Sequence, residues 1–160
     1  MATLFIICGL PSAGKTTVAK KMERERSAVR LCPDEWIWTI LPPDFTDEER
    51  DRLREPVQSI QWDVAERLLT LGVDVILEWG TWERAERAGL RDRARELGAA
   101  VELHYLDVQY EELVKRVMKR NSEQPDNAFL VSLDELEEWH GMFEPPGPDE
   151  LATYDDYVIR

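Results

Sequence analysis

Apolar and polar positions alternate along this chain in two rhythms. Short apolar runs rich in β-branched residues occur at "TLFIIC" (3–8), "AVRLC" (28–32), "VDVILEW" (73–79) and "AVELHYLDV" (100–108). Such runs read as strands covered on both faces. Between them lie longer stretches with helical spacing: Lys15 to about Arg26, a segment from Thr46, the run Val57, Ile60, Val64 and Leu68, a segment from Thr81 to Leu97, and "YEELVKRVMKRN" (110–121). In the last of these, Leu113 and Val117 share one side, with Arg116 and Arg120 on another. Thr46 with Glu49, and Ser132 with Glu135, form two capping boxes, and Thr81 is a candidate cap for its helix. Pro56 is expected to break or restart the helix it falls in. Gly72 and Gly98 mark two helix ends. The second capping box opens a helix to about Met142, which "EPPGP" stops, and "YVIR" (157–160) is a candidate fifth edge strand.

A β-loop-α start followed by alternating strands and helices predicts an α/β fold: three layers around a mostly parallel, five-stranded sheet. The 160 residues suit one domain over 1–160, with a small helical lid around 116–131. In such sheets ligands sit beyond the carboxyl ends of the strands. That rule gathers Gly9 to Thr16, the segment after Cys32, and Glu78 to Trp82 on one rim.

Net charge adds a constraint. With 33 acidic and 20 basic residues the chain carries −13, which weighs against a long nucleic-acid partner or an anionic membrane surface. No apolar run approaches the roughly 20 residues of a membrane span. The opening "MATLFIIC" lacks a basic leader and reads as a strand. Cys8 and Cys32 have no metal-ligand spacing and read as free buried thiols of a cytoplasmic protein.

"GLPSAGKTT" (9–17) carries the chemistry. Gly9, Gly14, Lys15 and Thr16 fit G-x-x-x-x-G-K-[ST], with a strand before and a helix after. In this loop, backbone N–H groups of Gly9, Leu10, Pro11 (lacking one), Ser12, Ala13, Gly14, Lys15, Thr16 and Thr17 surround phosphate oxygens, Lys15 reaches the β- and γ-phosphates, and the Thr16 hydroxyl binds Mg²⁺. "RLCPDEW" delivers Asp34 to the same rim. It is either the carboxylate that orients an acceptor hydroxyl and takes its proton, or the cap of the following helix. Glu78 is placed to hold Mg²⁺, to touch the acceptor, or to pair structurally. Asp74 belongs to the far edge. Arg116 and Arg120, before the polar loop 122–129, are candidate lid arginines or a solvated face paired to Glu112. Of six tryptophans, Trp36, Trp38, Trp79 and Trp82 follow strand ends and can line an acceptor cleft; Trp62 and Trp139 read as packing, and His104 and His140 as structural.

These segments together resemble the P-loop kinases that include polynucleotide 5′-kinases, zeta-toxin-like kinases and chloramphenicol phosphotransferase, and small bacterial "AAA family ATPase" or predicted-kinase proteins. The shared points are "GLPSAGKTT", "LCPDEW", "VILEWGTW" and "RVMKRN". The resemblance implies ATP and Mg²⁺ as cofactors, Lys15 and Thr16 on phosphates and metal, Asp34 as general base, and Arg116 and Arg120 as lid arginines. Polynucleotide kinases carry an arginine three residues after the base; here Ile37 stands there. The leading expectation is a kinase for a small hydroxyl-bearing metabolite, nucleoside-like compound or antibiotic. A 5′-polynucleotide kinase, and a nucleotide-binding switch or hydrolase with a protein partner, are the alternatives.

Overall fold

The computed structural model describes residues 1–124 and 129–160. Its frame is five parallel strands, β1 (Thr3–Cys8), β2 (Val29–Leu31), β3 (Val75–Gly80), β4 (Ala100–Tyr105) and β5 (Asp156–Ile159), in the order β2-β3-β1-β4-β5. The edge strand expected from "YVIR" is therefore present, paired with β4 from Glu102↔Asp156 to Tyr105↔Ile159. Asp74 lies at the opposite end from the rim, where it accepts a hydrogen bond from the Thr3 amide at 2.8 Å.

Alternation along β1 divides the core in two. Leu4, Ile6 and Cys8 face a layer supplied by helices α3 (Asp47–Thr70), α4 (Arg84–Glu96) and α7 (Pro148–Leu151), with Trp62, Leu69, Leu90 and Leu151. Phe5 and Ile7 face the other, supplied by α1 (Lys15–Arg26), α5 (Tyr110–Glu123) and α6 (Leu133–Met142), with Met22, Leu113, Val117 and Leu136. A strand buried on both faces needs apolar residues at every position, which is why "TLFIIC" shows no period of two. A third, smaller cluster joins α2 (Pro33–Ile40) to α3 through Ile37 and Val57, with Phe129. Among the described residues no helix is long and apolar enough to cross a membrane.

Three local expectations are corrected. Pro56 does not interrupt its helix: α3 runs unbroken from Asp47 to Thr70. Proline removes one intrahelical hydrogen bond, but Arg50 and Val57 before and after it, then Gln61, Ala65 and Leu69, form one buried stripe. Burial of that stripe outweighs the local loss. The stripe is also rotated from the expected Val57–Ile60–Val64–Leu68 face, leaving Ile60 exposed. Thr81 caps no helix: α4 starts at Arg84 after Glu83, while Thr81 is buried with φ 43° in the turn leaving β3. Both capping boxes form, at Thr46–Glu49 and Ser132–Glu135. The expected lid over 116–131 and loop 122–129 include residues 125–128, which lie outside the described residues.

A buried ion pair locks the strand-end turn to the C-terminal segment. Arg87 of α4 is fully buried and donates from Nε and Nη2 to the two carboxylate oxygens of Glu150 of α7 at 2.7 and 2.8 Å. Its remaining donors reach the carbonyls of Thr81, Trp82 and Glu144 at 2.8–3.0 Å. Glu150→Ala leaves that guanidinium without its counter-charge. A loss of about 3–5 kcal/mol is expected in urea unfolding; a loss below about 1 kcal/mol would show that the pair does not hold α7.

His104 gives a second check. Burial holds its pKa below the ordinary 6.5, although its ring Nε2 lies 2.7 Å from Glu102 Oε1. As pH falls below about 6.5 the unfolded chain binds a proton that the folded chain resists, so stability declines and then levels once the folded imidazole is charged. Urea midpoints measured between about pH 7.5 and 5 should fall in the native protein. They should fall less in His104→Leu.

Candidate active site

The glycine loop leaves the central strand β1 and enters α1 at Gly14, whose φ of 100° and Ser12's φ of 64° lie in the left-handed region. Glycine adopts that conformation at little cost; Ser12 is held in it. The Gly9 amide donates to Gly80 O at 3.1 Å, so the loop is tied to the end of β3. Lys15 folds back over the loop and donates from Nζ to the carbonyls of Gly9 and Leu10 at 3.0 and 2.8 Å. Its ammonium thus stands inside the ring of backbone. The Ser12 hydroxyl is buried without a partner. A buried polar atom with no bond is uncommon, and at the mouth of an amide-rich loop it is a ready donor to an anion.

Two carboxylates act on Lys15. Burial lowers its pKa from the usual lysine value, and Asp34 and then Glu78 pull it back up. Asp34 follows the carboxyl end of β2, on the same rim as the loop. It lies in the first turn of α2; Cys32, not Asp34, occupies the cap position. Its Oδ1 accepts from Arg54 of α3 at 2.8 Å, and both side chains are open to solvent.

Glu78 ends the apolar part of β3 and is buried. It accepts from the Thr16 hydroxyl and, at 2.7 Å, from Arg30. Arg30 rises from β2 and also makes paired bonds of 2.8 and 2.9 Å to Glu35. Burial works against the Arg30 charge, but Glu35 and Glu78 raise its pKa well above the ordinary value. Thr16 and Glu78 present two hard oxygen donors in contact, which fits a magnesium ion shared with phosphate oxygens. Among the described residues there is no group of three or more His, Cys, Asp or Glu able to hold a metal by themselves. Such an ion needs only one or two protein oxygens when phosphates complete its shell.

The two candidate lid arginines part company. Arg116 pairs with Glu112 at 2.9 Å and also points Nη1 at the carbonyls of Ser12 and Ala13, 3.4 Å away. It stands beside the loop. Arg120 donates to Phe129 O at 2.8 Å and braces the chain where it returns from 125–128.

The four rim tryptophans also divide. Trp38 lines a cavity of about 600 Å³. Trp79 donates to Gln61 Oε1 at 2.9 Å, Trp82 packs on Trp139 with centroids 5.6 Å apart, and Trp36 packs against core clusters. Ile37, where the resemblance to polynucleotide kinases calls for arginine, is fully buried. Cys8 and Cys32 are free and buried, and burial pushes their thiols up to about 11 and about 12, so both stay protonated at neutral pH.

Arg30 and Arg54 were not among the sequence candidates. For Arg30 the signal was a lone arginine inside the apolar run "AVRLC". Arg54 had none, because its partner lies 20 residues away on another helix.

No curated protein matches the sequence. Solved structures with the same fold include an inferred kinase from Chloroflexus aurantiacus, 18% identical, covering 99% of this chain and 84% of that one, with a TM-score of 0.74. Kti12 from Chaetomium thermophilum, in complex with ADP-AlF3, is 18% identical over 98% of this chain and 88% of its own, with a TM-score of 0.69. A sugar kinase from Janibacter sp. is 20% identical over 100% and 85%, with a TM-score of 0.65. At these identities the shared property is the fold. The family model described as "AAA domain" matches residues 4–146. That match spans most of the chain and makes it a member of this AAA domain family, as the parallel sheet with a glycine loop at the tip of its central strand bears out.

Proposed function

We propose that this protein is a phosphotransferase that moves the γ-phosphate of ATP to a hydroxyl of a small molecule, with Mg²⁺. One observation carries the reading: Asp34 stands in the first turn of α2, just past the end of β2 on the rim that also carries the glycine loop, exposed and held by Arg54. The kinase-like neighbours, including a sugar kinase, support the same reading.

In this mechanism the free backbone amides between Ser12 and Thr17, at the N-terminus of α1, hold the phosphates. Lys15 exchanges its carbonyl contacts for phosphate oxygens. Thr16 and Glu78 would hold a magnesium ion, which would supply positive charge to offset that of the phosphates, and Arg30 keeps Glu78 in place. Asp34 accepts the proton of the acceptor hydroxyl as its oxygen bonds to the γ-phosphorus and the bond from that phosphorus to the β–γ bridging oxygen breaks. Arg116, beside Ser12 and Ala13, offsets the charge of the transferring group. Arg120 acts on the same segment by bracing Phe129. A cytoplasmic site of action fits a reaction that draws on ATP.

Asp34→Asn tests the base. Turnover with acceptor should fall about 10²–10⁴-fold while ADP affinity changes little. Turnover within about twofold of the native protein would remove Asp34 from the chemistry.

The depressed Lys15 pKa sets a second expectation. Phosphate binding needs the charged ammonium, so ADP affinity should be steady near neutrality and fall as pH rises through the lowered value. That fall should come before the ordinary lysine value of 10.5. Calorimetric titrations from about pH 7 to 10 should show it. Affinity unchanged up to about pH 10 would contradict a lysine role in binding.

A further inference from the structure

The wall of the acceptor side has a chemistry of its own. Trp38 follows Asp34 by four residues in α2, so both project from one face, one turn and about 6 Å of rise apart. On α3, Arg50 and Arg54 share the same spacing. Arg54 holds Asp34, and Arg50 lines the cavity with Trp38. The cavity of about 600 Å³ therefore opens one helical turn from the proposed base. That volume lies in the range of small-ligand pockets.

Its apolar wall is a triangle of rings. Trp38 lies 5.8 Å from Phe45 and 5.3 Å from Phe129, and Phe45 lies 5.6 Å from Phe129, each pair tilted or edge-to-face. Phe129 comes from a different part of the chain, and it is fixed there. Arg120 binds its carbonyl at 2.8 Å, and Asn121 binds the Val131 carbonyl at 2.6 Å and accepts from the Val131 amide at 3.4 Å.

The charges around it select against anions. Among the described residues, Asp47 and Glu135 line the cavity with one guanidinium, that of Arg50. That guanidinium is already committed: it pairs with Asp47 at 3.0 Å and Asp51 at 2.9 Å and lies 5.4 Å over the Phe129 ring. Among the described lining residues, an incoming carboxylate or phosphate would meet two carboxylates and a guanidinium that is already paired.

We infer that this cavity is the acceptor-binding pocket and that it takes an uncharged alcohol whose aromatic ring sits about 6 Å from the hydroxyl, the ring against Trp38, Phe45 and Phe129 and the hydroxyl at Asp34. The inference rests on the phosphotransferase reading for the hydroxyl's role and on the cavity alone for the ring. It separates this protein from a kinase for sugar acids or for nucleic-acid strands.

The test uses the purified full chain and four probes: 3-phenylpropanol, thymidine, gluconate and a 5′-hydroxyl oligonucleotide. Each is titrated calorimetrically without nucleotide, then offered as acceptor with ATP. The two uncharged aromatic alcohols should bind and the two anions should not. Trp38→Ala should weaken that binding about tenfold with ADP affinity unchanged, and Trp38→Phe should restore it to within about twofold. If Trp38→Ala does not fold, discrimination among the four probes by the native protein decides the matter. Gluconate or the oligonucleotide binding as well as the aromatic alcohols overturns the inference, as does ADP binding with no aromatic alcohol bound. Phosphate transfer to gluconate alone would overturn the pocket and keep the phosphotransferase. Trp38-dependent binding of 3-phenylpropanol without transfer would keep the pocket and remove the phosphotransferase.

Discussion

The ammonium of Lys15 is the point on which the site turns. It is drawn out of water into a loop of backbone, where burial opposes its charge. Two carbonyls hold it there, and the charges of Asp34 and Glu78 favour its protonated form. Those groups come from three strand ends, and only a parallel sheet brings three strand ends to one rim. The order β2-β3-β1 places Asp34, Glu78 and the glycine loop side by side, with the loop on the central strand. A cation so placed is ready for phosphate, because an incoming anion replaces carbonyl contacts and relieves the burial of the charge.

The rest of the structure keeps those groups from relaxing. Glu78 would be a lone buried carboxylate without Arg30, which β2 supplies and Glu35 steadies. The turn leaving β3 is fixed by Arg87, whose donors are all committed to Glu150 and to backbone carbonyls. Asp34 is handled differently. It is exposed and paired only to Arg54, so it can exchange that partner for an acceptor hydroxyl. In the proposed reaction the rigid groups would serve the nucleotide and the exchangeable Asp34 the acceptor.

Features set by neighbours in the chain were legible from sequence. The glycine loop, both capping boxes, the first four strands and the rim positions of Asp34 and Glu78 depend on short-range pattern and on the rule that ligands sit at strand ends. Features set by distant partners were not. Arg30 and Glu78 are 48 residues apart, and Arg87 and Glu150 are 63 apart. Nothing local marks either pair. Pro56 misled because its local cost is real, yet it is smaller than the burial gained by one continuous stripe along α3. Thr81 misled because a threonine after a strand resembles a cap, while the chain there turns through positive φ before the helix begins. The aromatic wall was half visible: Trp38 was on the rim, but Phe129 reaches it only through the fold.

The central claim is that the γ-phosphate goes to an alcohol and not to water. Phosphorus NMR of the products decides it, with ATP, Mg²⁺ and an uncharged aromatic alcohol incubated with the native protein. The account predicts a phosphate monoester resonance that grows in step with ADP, and little inorganic phosphate. Inorganic phosphate as the sole product, at a rate indifferent to the alcohol, would contradict it.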